Sequence, residues 1–212
     1  MGQEKVWNIL SEQWHQFRRH PTKEVKCFIE KYVKLDKKLK VLDIGCGNCR
    51  HLIPFTNCNC YGIDFSEKML EKAKKHCSNV KLKKADMRKL PFKDNYFDVC
   101  LFVASLHHLE NNREKALKEM YRVLKKDGIA LVCVWNKWLV FFSQRKNRWG
   151  ALKLLFSRNG GTVPWTYNRQ VYQRYYYFFG YFELRKLLKK TGFKIIQSEI
   201  GKNLIFVVKK SI

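Results

Sequence analysis

The sequence predicts an α/β fold in which a mostly parallel sheet ends in an antiparallel hairpin. Apolar runs, several of them closed by an acidic residue, alternate with amphipathic segments, as expected of repeated strand–helix units. Residues 97–104 are apolar almost throughout, which is typical of a central parallel strand covered on both faces. Residues 193–200 and 203–209 are strand-like and flank Gly201-Lys202, which predicts a terminal hairpin.

Two short helices are predicted before the first strand, within residues 1–36. Apolar residues recur at helical spacing over residues 6–17, and Pro21 ends that helix before Thr22 caps a second one. Arg18 lies at the break between the two helices. By position alone, Arg18 belongs to a solvated basic turn.

A strand, a glycine turn and a segment that can be helical follow one another from Lys40 onward. Asp43 ends the strand, and Gly45 and Gly47 allow a ligand to approach the backbone closely, because no Cβ intervenes. A dinucleotide fingerprint would need glycine or alanine where Arg50 stands. A carboxylate beside the turn repels pyrophosphate and suits a cationic ligand. Taken alone, the two glycines would favour a tight turn that binds nothing.

Acidic residues also follow the next two predicted strands. Asp64 ends the second strand roughly twenty residues past the glycines, where a carboxylate can accept hydrogen bonds from ribose hydroxyls. Ser66 is the better cap for the following helix, which leaves Asp64 for a ligand. The strand at residues 80–85 alternates apolar and basic side chains, and Asp86-Met87 closes it.

The apolar strand at residues 97–104 leads into Ser105-Leu106-His107-His108. Ligands of open α/β sheets lie at the carboxyl ends of strands, so Ala104 to His108 are predicted to line a pocket. Adjacent histidines project in different directions, so one metal is not expected to bind both. We predict that His107 faces the substrate and that His108 packs against the sheet.

The second half of the sheet is predicted from hydrophobic periodicity. An amphipathic helix at residues 112–126, closed by Asp127-Gly128, is followed by a buried strand at residues 129–135. No internal repeat or low-complexity tract interrupts the chain. Its 212 residues are expected to form one domain with a substantial core.

The chain is strongly basic, with 43 Lys and Arg against 18 Asp and Glu and a formal net charge of +25. This balance favours nucleic acid first and an anionic membrane surface second, unless lysine is simply the preferred surface residue. No signal peptide is predicted, because no positively charged start is followed by an apolar run. No membrane span is predicted, because the longest apolar stretch is interrupted by Asn136 and Lys137. The eight cysteines are therefore expected to be reduced in the cytoplasm, and the Cys46/Cys49 pair does not predict a metal site.

Basic and aromatic residues are concentrated at residues 137–180, and no Asp or Glu occurs from residue 129 to residue 182. Positive charge binds phosphates and aromatic faces stack on unpaired bases, so we interpret this insertion as an RNA-binding surface with a hinge or turn at Gly160-Gly161. Two alternatives stay open, an aromatic core segment with a solvated basic face and a membrane-surface segment. The predicted RNA-binding residues are Arg145, Lys146, Arg148, Arg158, Trp165, Arg174 and Tyr175.

The glycine turn resembles the first motif of the class I S-adenosylmethionine-dependent methyltransferases, acidic-x-Gly-x-Gly-x-Gly, with Cys49 in place of the last glycine. The resemblance implies a Rossmann-like fold with a seven-stranded sheet, a cationic methyl donor, and N-terminal helices that cover its pocket. It implies contacts to S-adenosylmethionine by Asp43, Gly45, Gly47, Asp64, Phe65, Asp86, Met87 and Ala104.

Several segments resemble one branch more closely, the tRNA wobble-uridine methyltransferases that esterify 5-carboxymethyluridine. The matching segments are Asp43-Ile44-Gly45-Cys46-Gly47-Asn48, Leu106-His107-His108, Val163-Pro164-Trp165 and Arg174-Tyr175-Tyr176-Tyr177, together with Arg18. This resemblance implies that Arg18 and His107 hold the acceptor carboxylate and that tRNA is the substrate. It also implies a small zinc-binding activator subunit on the edge strand, residues 80–84, and no membrane partner.

Two other functions are compatible with the same residues. One is a methyltransferase of a quinone or another small lipid, in which the basic aromatic segment meets a membrane. The other is a non-catalytic RNA-binding protein on a methyltransferase fold. The retained Asp43, Asp64 and Asp86 argue against the second.

Overall fold

The computed structural model describes residues 1–137 and 160–211. Five α-helices lie wholly within these ranges: α1 Gln3–Phe17, α2 Lys23–Tyr32, α3 Glu67–His76, α4 Arg113–Val123 and α5 Tyr181–Lys190. The strands are β1 Lys40–Ile44, β2 Asn59–Asp64, β3 Lys81–Lys84, β4 Phe97–Val103, β5 Leu124–Trp135, β6 Gly160–Tyr167, β7 Gln170–Tyr177, β8 Phe193–Ile200 and β9 Asn203–Lys210. Short 3-10 helices span Arg50–Phe55 and Leu106–His108.

Seven strands form one sheet in the order β3-β2-β1-β4-β5-β9-β8. Strands β1 to β5 are parallel, whereas β9 runs antiparallel to β5 and β8 antiparallel to β9. This confirms the predicted fold class and the terminal hairpin. The strand order reverses between β1 and β4, and the carboxyl ends of these strands meet there, which is where open α/β sheets bind ligands.

Both faces of the sheet are covered, because side chains of successive strand residues point to opposite sides. Leu42 and Ile44 of β1 join the core beneath α4 and α5, while Val41 joins the core beneath α2 and α3. The side chains of β4 alternate in the same way: Phe102 joins the core beneath α4 and α5, and Leu101 joins the core beneath α2 and α3. The continuous apolar runs in the sequence therefore reflect burial on two sides.

The boundary between α4 and β5 differs from the prediction. The helix ends at Val123 rather than at residue 126, and β5 starts at Leu124 rather than at residue 129. Leu124 is fully buried and pairs with Phe97 of β4, so strand pairing prevails over the helical periodicity that continues in the sequence. Asp127 still takes a positive φ of 62°, but within the strand rather than at a helix end.

A second, two-stranded sheet was not predicted. Strands β6 and β7 pair antiparallel from Gly160↔Tyr177 to Tyr167↔Gln170. The turn between them is Asn168-Arg169, both with positive φ of 47° and 61°, as a tight primed hairpin turn requires. Gly160-Gly161, predicted as a hinge or turn, is instead the start of β6. None of the described helices has both the length and the apolar character needed to cross a bilayer.

Candidate active site

The glycine turn after β1 takes the left-handed conformation at three positions. Gly45 and Gly47 have φ of +73° and +54°, and Cys49 has φ of +63° and ψ of +13°. The amides of Gly45 and Cys46 both donate to the carbonyl of Ile63 at 2.8 Å, which ties the turn to β2. Cys49 thus keeps the backbone shape that a third glycine would give, at the cost of some steric strain.

Gly45 is also a position of close approach. A Cβ there would lie 2.5 Å from the Cβ of Ser105, the residue that follows Ala104 at the end of β4. The Ser105 hydroxyl donates to the carbonyl of Ile44 at 2.6 Å and so joins the tips of β1 and β4. Ser105 was named only as part of the pocket-lining stretch, because its bond to β1 depends on strand order.

Asp43 is fully buried, and neither of its carboxylate oxygens has a hydrogen-bond partner. Burial raises the pKa of Asp43 to about 8, and the nearby Arg50 opposes that shift. A buried carboxylate without a partner is unstable in its charged form, and a cationic ligand would compensate it. The sequence predicts this carboxylate as one that suits a cationic ligand.

Asp64 holds the turn and the next helix together. Its Oδ2 accepts from the Gly47 amide at 2.9 Å, and its Oδ1 accepts from the Ser66 amide at 2.8 Å. Burial raises the pKa of Asp64 to about 6, although these amides favour the charged form. The Ser66 hydroxyl accepts from the Met69 amide at 3.2 Å, which confirms it as the α3 cap. Asp64 therefore stabilises the glycine turn and the start of α3 without any ligand. Each of its carboxylate oxygens retains a lone pair that can accept a hydrogen bond from a ribose hydroxyl.

Two adjoining cavities run along the strand tips and share Phe65, Met87 and His108 in their walls. The inner cavity, about 60 Å³, is bounded by the glycine turn, Asp64 and Ala104. The outer cavity, about 300 Å³, reaches Asp86. Seven of the eight predicted donor contacts line these two cavities, and Asp43 lies buried behind the turn.

Asp86 is engaged by its neighbour rather than free. Its carboxylate accepts from Arg88 Nε at 3.0 Å and from Arg88 Nη2 at 2.6 Å. This pairing keeps the pKa of Asp86 below its ordinary value. The pair is half-exposed at the rim of the outer cavity, so a ligand hydroxyl or amine can compete for Asp86 at modest cost.

Helix α1 covers the inner cavity with Trp7 and Trp14. The two rings meet edge to face at 5.2 Å, and Trp7 also packs on the ring of His108 at 4.7 Å. Neither tryptophan was predicted to line the cavity. Their spacing of seven residues places them on one helix face, which was the available signal.

The structure reverses the predicted positions of the two histidines. His107 is 1% exposed and lies outside both cavities, with its ring stacked on Tyr176 and its Nδ1 accepting from the Trp135 amide at 3.3 Å. His108 lines both cavities, and its Nδ1 donates to the carbonyl of Tyr175 at 3.0 Å. Burial lowers the pKa of His108 to about 4, so it is neutral at physiological pH. The 3-10 turn directs His108, and not His107, toward the cavity.

The predicted RNA-binding residues fall into two groups. Arg145, Lys146, Arg148 and Arg158 lie outside the described residues. Trp165 is half-buried, and its Nε1 donates to Gln13 of α1, while Tyr175 is half-buried and its amide donates to Gln3 at 2.9 Å. Arg174 is 4% exposed and cannot form part of an open surface. Tyr176 to Phe179 are buried as well, so this part of the aromatic segment is core.

Arg18 lies at the rim of the site. It is exposed, follows the last residue of α1, and its guanidinium carbon is 5.4 Å from the ring centre of Trp14. Its backbone carbonyl accepts from Asn48 of the glycine turn at 2.7 Å. Arg18 therefore adjoins both the turn and the lid over the inner cavity, and the lidding position of α1 agrees with the resemblance.

A family model described as a methyltransferase domain matches residues 42–132, from β1 to β5. A putative methyltransferase of Encephalitozoon cuniculi is 32% identical over 212 residues, which cover 96% of this chain and 92% of that protein. The chain belongs to the class I S-adenosylmethionine-dependent methyltransferases. Its cofactor is S-adenosylmethionine. The unpartnered Asp43, the carboxylates of Asp64 and Asp86, and the close approach at Gly45 fit this cationic nucleoside.

Other methyltransferases similar to this chain have different substrates in their names. The tRNA (carboxymethyluridine(34)-5-O)-methyltransferase of Schizosaccharomyces pombe is 31% identical over 196 residues, which cover 80% of each chain. The demethylmenaquinone methyltransferase of Staphylococcus haemolyticus is 35% identical over 140 residues, 62% of this chain and 54% of its own.

Solved structures agree on the fold. A methyltransferase of Methanosarcina mazei has a TM-score of 0.76 at 18% identity, covering 87% of this chain and 97% of its own. A chain from the complex between the Haloferax volcanii Trm112 methyltransferase activator and a putative methyltransferase has a TM-score of 0.71 at 13% identity. It covers 100% of this chain and 99% of its own.

Proposed function

We propose that this methyltransferase acts on tRNA and converts a 5-carboxymethyl group on the wobble uridine into its methyl ester. The observation that carries the proposal is the opposite charge on the two sides of the α1 lid. Carboxylates line the donor side, whereas on the other side the guanidinium carbons of Arg18 and Arg174 lie 5.4 Å from the ring centre of Trp14 and 5.9 Å from that of Trp7. Such a site suits an anionic acceptor, and the S. pombe relative named for this reaction supports the choice.

Methyl transfer to a carboxylate requires the protein mainly to align the acceptor oxygen with the methyl group. S-adenosylmethionine, when bound, supplies a methyl group on a positively charged sulfur. A carboxylate acceptor is already ionised at neutral pH, so it needs no general base. The protein must hold the acceptor oxygen in line with the methyl group, and positioning of this kind supplies most of the rate. The neutral His108 and the tryptophans of α1 exclude water between the two ligands.

Arg18 remains our proposed contact for the acceptor carboxylate at the mouth of the site. An arginine can bind a carboxylate through two parallel hydrogen bonds without taking its charge away. The exposure of Arg18 also suits the capture of a polyanion from solution, because the net charge of +25 attracts RNA over long distances. We no longer assign His107 to the acceptor, because it is buried away from the cavity.

The test is an incubation of the protein with isotopically labelled S-adenosylmethionine and total tRNA, followed by nucleoside analysis by mass spectrometry. We expect label in the methyl ester of 5-carboxymethyluridine. The Asp43→Asn variant, which lacks the buried carboxylate, is the matched control and should give none. Label in a different nucleoside, or in no nucleoside at all, would show that the acceptor is wrong.

We further propose that a small zinc-binding activator subunit pairs with edge strand β3. Among the described strands, β3 pairs with β2 on one side only, and Leu82 is half-exposed between Lys81 and Lys83. An added strand would bind the free main-chain groups and cover Leu82. The likeness to a chain of the Haloferax complex supports such a partner.

Co-purification with a Trm112-type subunit tests whether β3 is the edge to which the activator binds. Leu82→Glu should abolish capture of a Trm112-type subunit, because it places a charge in the paired face. Ile196→Glu on β8, the opposite edge of the sheet, is the matched control and should leave capture unchanged. Equal capture by both variants would exclude β3 as the docking edge.

A lipid quinone is the second candidate acceptor, favoured by the similarity to the S. haemolyticus enzyme. Methylation of a demethylmenaquinol forms a bond to a ring carbon, which becomes nucleophilic when a quinol hydroxyl gives its proton to a base. His108, the histidine on the cavity wall, donates its Nδ1 proton to a carbonyl and keeps Nε2 free as a base. Methylation of a demethylmenaquinol in detergent, with no transfer to tRNA, would favour this function over the proposed one.

A further inference from the structure

Arg174 is a buried cation that forms no ion pair within residues 1–137 and 160–211. It is 4% exposed, its Nε has no hydrogen-bond partner in these ranges, and its Nη1 donates to the Tyr176 hydroxyl at 2.9 Å. Among the described residues, no carboxylate forms an ion pair with it, and burial lowers the pKa of Arg174, with the cation Arg18 acting in the same direction. A charge held in this way is costly unless a ligand compensates it.

Aromatic rings enclose this guanidinium. Its carbon lies 4.4 Å from the ring centre of Trp165, 5.2 Å from that of Tyr176 and 5.9 Å from that of Trp7. Cation–π attraction offsets part of the cost of burial. It leaves Nε without a hydrogen-bond partner, and the edge formed by Nε and Nη2 has the fork geometry that matches a carboxylate.

The hairpin holds Arg174 next to the donor cavity. In the β6–β7 register Arg174 faces Val163, and Trp165 faces Tyr172, so Arg174 and Trp165 share the face that packs on α1. Trp7 lines the inner cavity, and the centre of its ring is 5.9 Å from the guanidinium carbon of Arg174. The bond from His108 to the Tyr175 carbonyl joins the same strand to the cavity wall.

We infer that Arg174, stacked beneath Trp165, is the binding site for the anionic group of the acceptor. The inference rests on the proposed function, since it names the residue that holds the carboxylate once the base has entered. The exposed Arg18 contacts the carboxylate first, at the mouth of the site, and Arg174 then holds it in an environment with little water. Trp165, beside it, offers an aromatic face for the pyrimidine ring.

Two nucleosides that differ only in charge provide the test, 5-carboxymethyluridine and its amide, 5-carbamoylmethyluridine. Each is titrated into the protein saturated with S-adenosylhomocysteine and followed by calorimetry. We expect the wild type to prefer the acid and Arg174→Gln to lose the preference, with acid affinity down about 10- to 100-fold and amide affinity unchanged. Arg174→Lys should show an intermediate loss, because it keeps the charge without the fork.

Arg169→Gln is the matched control. It removes the same charge from the exposed turn of the same hairpin and should behave as the wild type. Thermal unfolding separates binding from support of the fold: an uncompensated buried charge predicts an equal or higher Tm for Arg174→Gln. A clearly lower Tm for both Arg174 variants would mean a structural arginine and would overturn the inference.

The two proposals fail differently. If the wild type esterifies 5-carboxymethyluridine in tRNA but Arg174→Gln binds the acid as tightly as the wild type, the acceptor stands and the role of Arg174 is wrong. If the wild type binds neither nucleoside and methylates no carboxymethyluridine, the proposed function is wrong, and the assignment of Arg174 to that acceptor is wrong with it.

Discussion

The carboxylate of Asp64 accepts a hydrogen bond from the backbone amide of Gly47 at 2.9 Å, so the tip of β2 holds the glycine turn that follows β1. The same carboxylate binds the Ser66 amide at 2.8 Å at the start of α3. One side chain therefore sets the shape of the donor cavity and offers its remaining lone pairs to a ribose.

Two substitutions of Asp64 should weaken cofactor binding to different extents. Asp64→Asn keeps one acceptor oxygen, whereas Asp64→Ala removes both bonds and frees the turn. We expect the affinity for S-adenosylhomocysteine to fall by about 10-fold for the first and about 100-fold for the second, since hydrogen bonds to a charged group are worth about 1.5–3 kcal/mol. Calorimetric titration measures both. Asp94→Ala, a surface carboxylate paired with Arg122, is the control. Unchanged affinity in Asp64→Ala would exclude Asp64 from the donor site.

Cofactor binding should depend on pH through Asp43. Its pKa of about 8 in the free protein means that the carboxyl is largely protonated at pH 7 and must lose its proton to bind an ammonium group. Affinity for S-adenosylhomocysteine should therefore rise from pH 6.5 to pH 8.5, with proton release on binding at the lower pH. Calorimetry in buffers of different ionisation enthalpy measures this release. Asp43→Asn should abolish both the binding and the release, and a flat affinity profile in the wild type would contradict the prediction.

The same carboxyl should make the free protein less stable at alkaline pH. A group whose pKa is higher in the folded state favours folding at low pH, and this contribution disappears as the pH rises through the folded pKa, here about 8. The Tm of the free wild type should fall between pH 7 and pH 9 more steeply than that of Asp43→Asn. Parallel curves for the two proteins would show that Asp43 does not govern this range.

Two glycine substitutions should separate backbone strain from steric conflict. Gly47→Ala has room for its Cβ, with Trp14 Nε1 3.9 Å away, so it should cost only the left-handed backbone, about 1 kcal/mol. Gly45→Ala adds the conflict with Ser105 and should cost about 2–5 kcal/mol. Urea unfolding gives the two free energies. Equal values would mean that β4 moves away from the turn at little cost.

Arg18→Ala should lower methyl transfer to tRNA at least about 10-fold and leave the affinity for S-adenosylhomocysteine unchanged, because Arg18 lies at the rim and not among the donor contacts. Steady-state transfer and calorimetry are measured on the same preparation. Arg19→Ala, an exposed neighbour, is the control. An equal loss of cofactor affinity would place Arg18 on the donor instead.

The donor side of the site was largely predictable. Asp43 and Asp64 lie in the last two residues of β1 and β2, and Asp86 lies just beyond β3. Parallel strands place their carboxyl ends at one edge, so sequence position predicts spatial position. Seven of the eight predicted contacts line the cavities and the eighth lies behind them. The tryptophans of the lid were missed because α1 was identified only by its apolar spacing, which does not say what the apolar face covers.

The acceptor side was less predictable. A stretch that combines arginine with five consecutive aromatic residues is compatible with an exposed RNA surface and with a core, and no local pattern distinguishes the two. In the structure Tyr176 to Phe179 are buried, and Arg174 lies inside with them. The adjacent histidines posed the same difficulty, because a single 3-10 turn decides which ring faces the cavity.

The sequence by itself determined the mostly parallel fold class, the terminal hairpin, the glycine turn and the three carboxylates, since these follow from local periodicity and from the short connections between neighbouring elements. Only the tertiary structure decided that His108 faces the donor and that Arg174 is buried without a counterion. Both depend on the packing of the β6–β7 hairpin against α1, through Gln3 and Gln13 on one side and Tyr175 and Trp165 on the other. These partners are more than 150 residues apart in the chain, and burial of a charge is set by such distant neighbours rather than by the residues beside it.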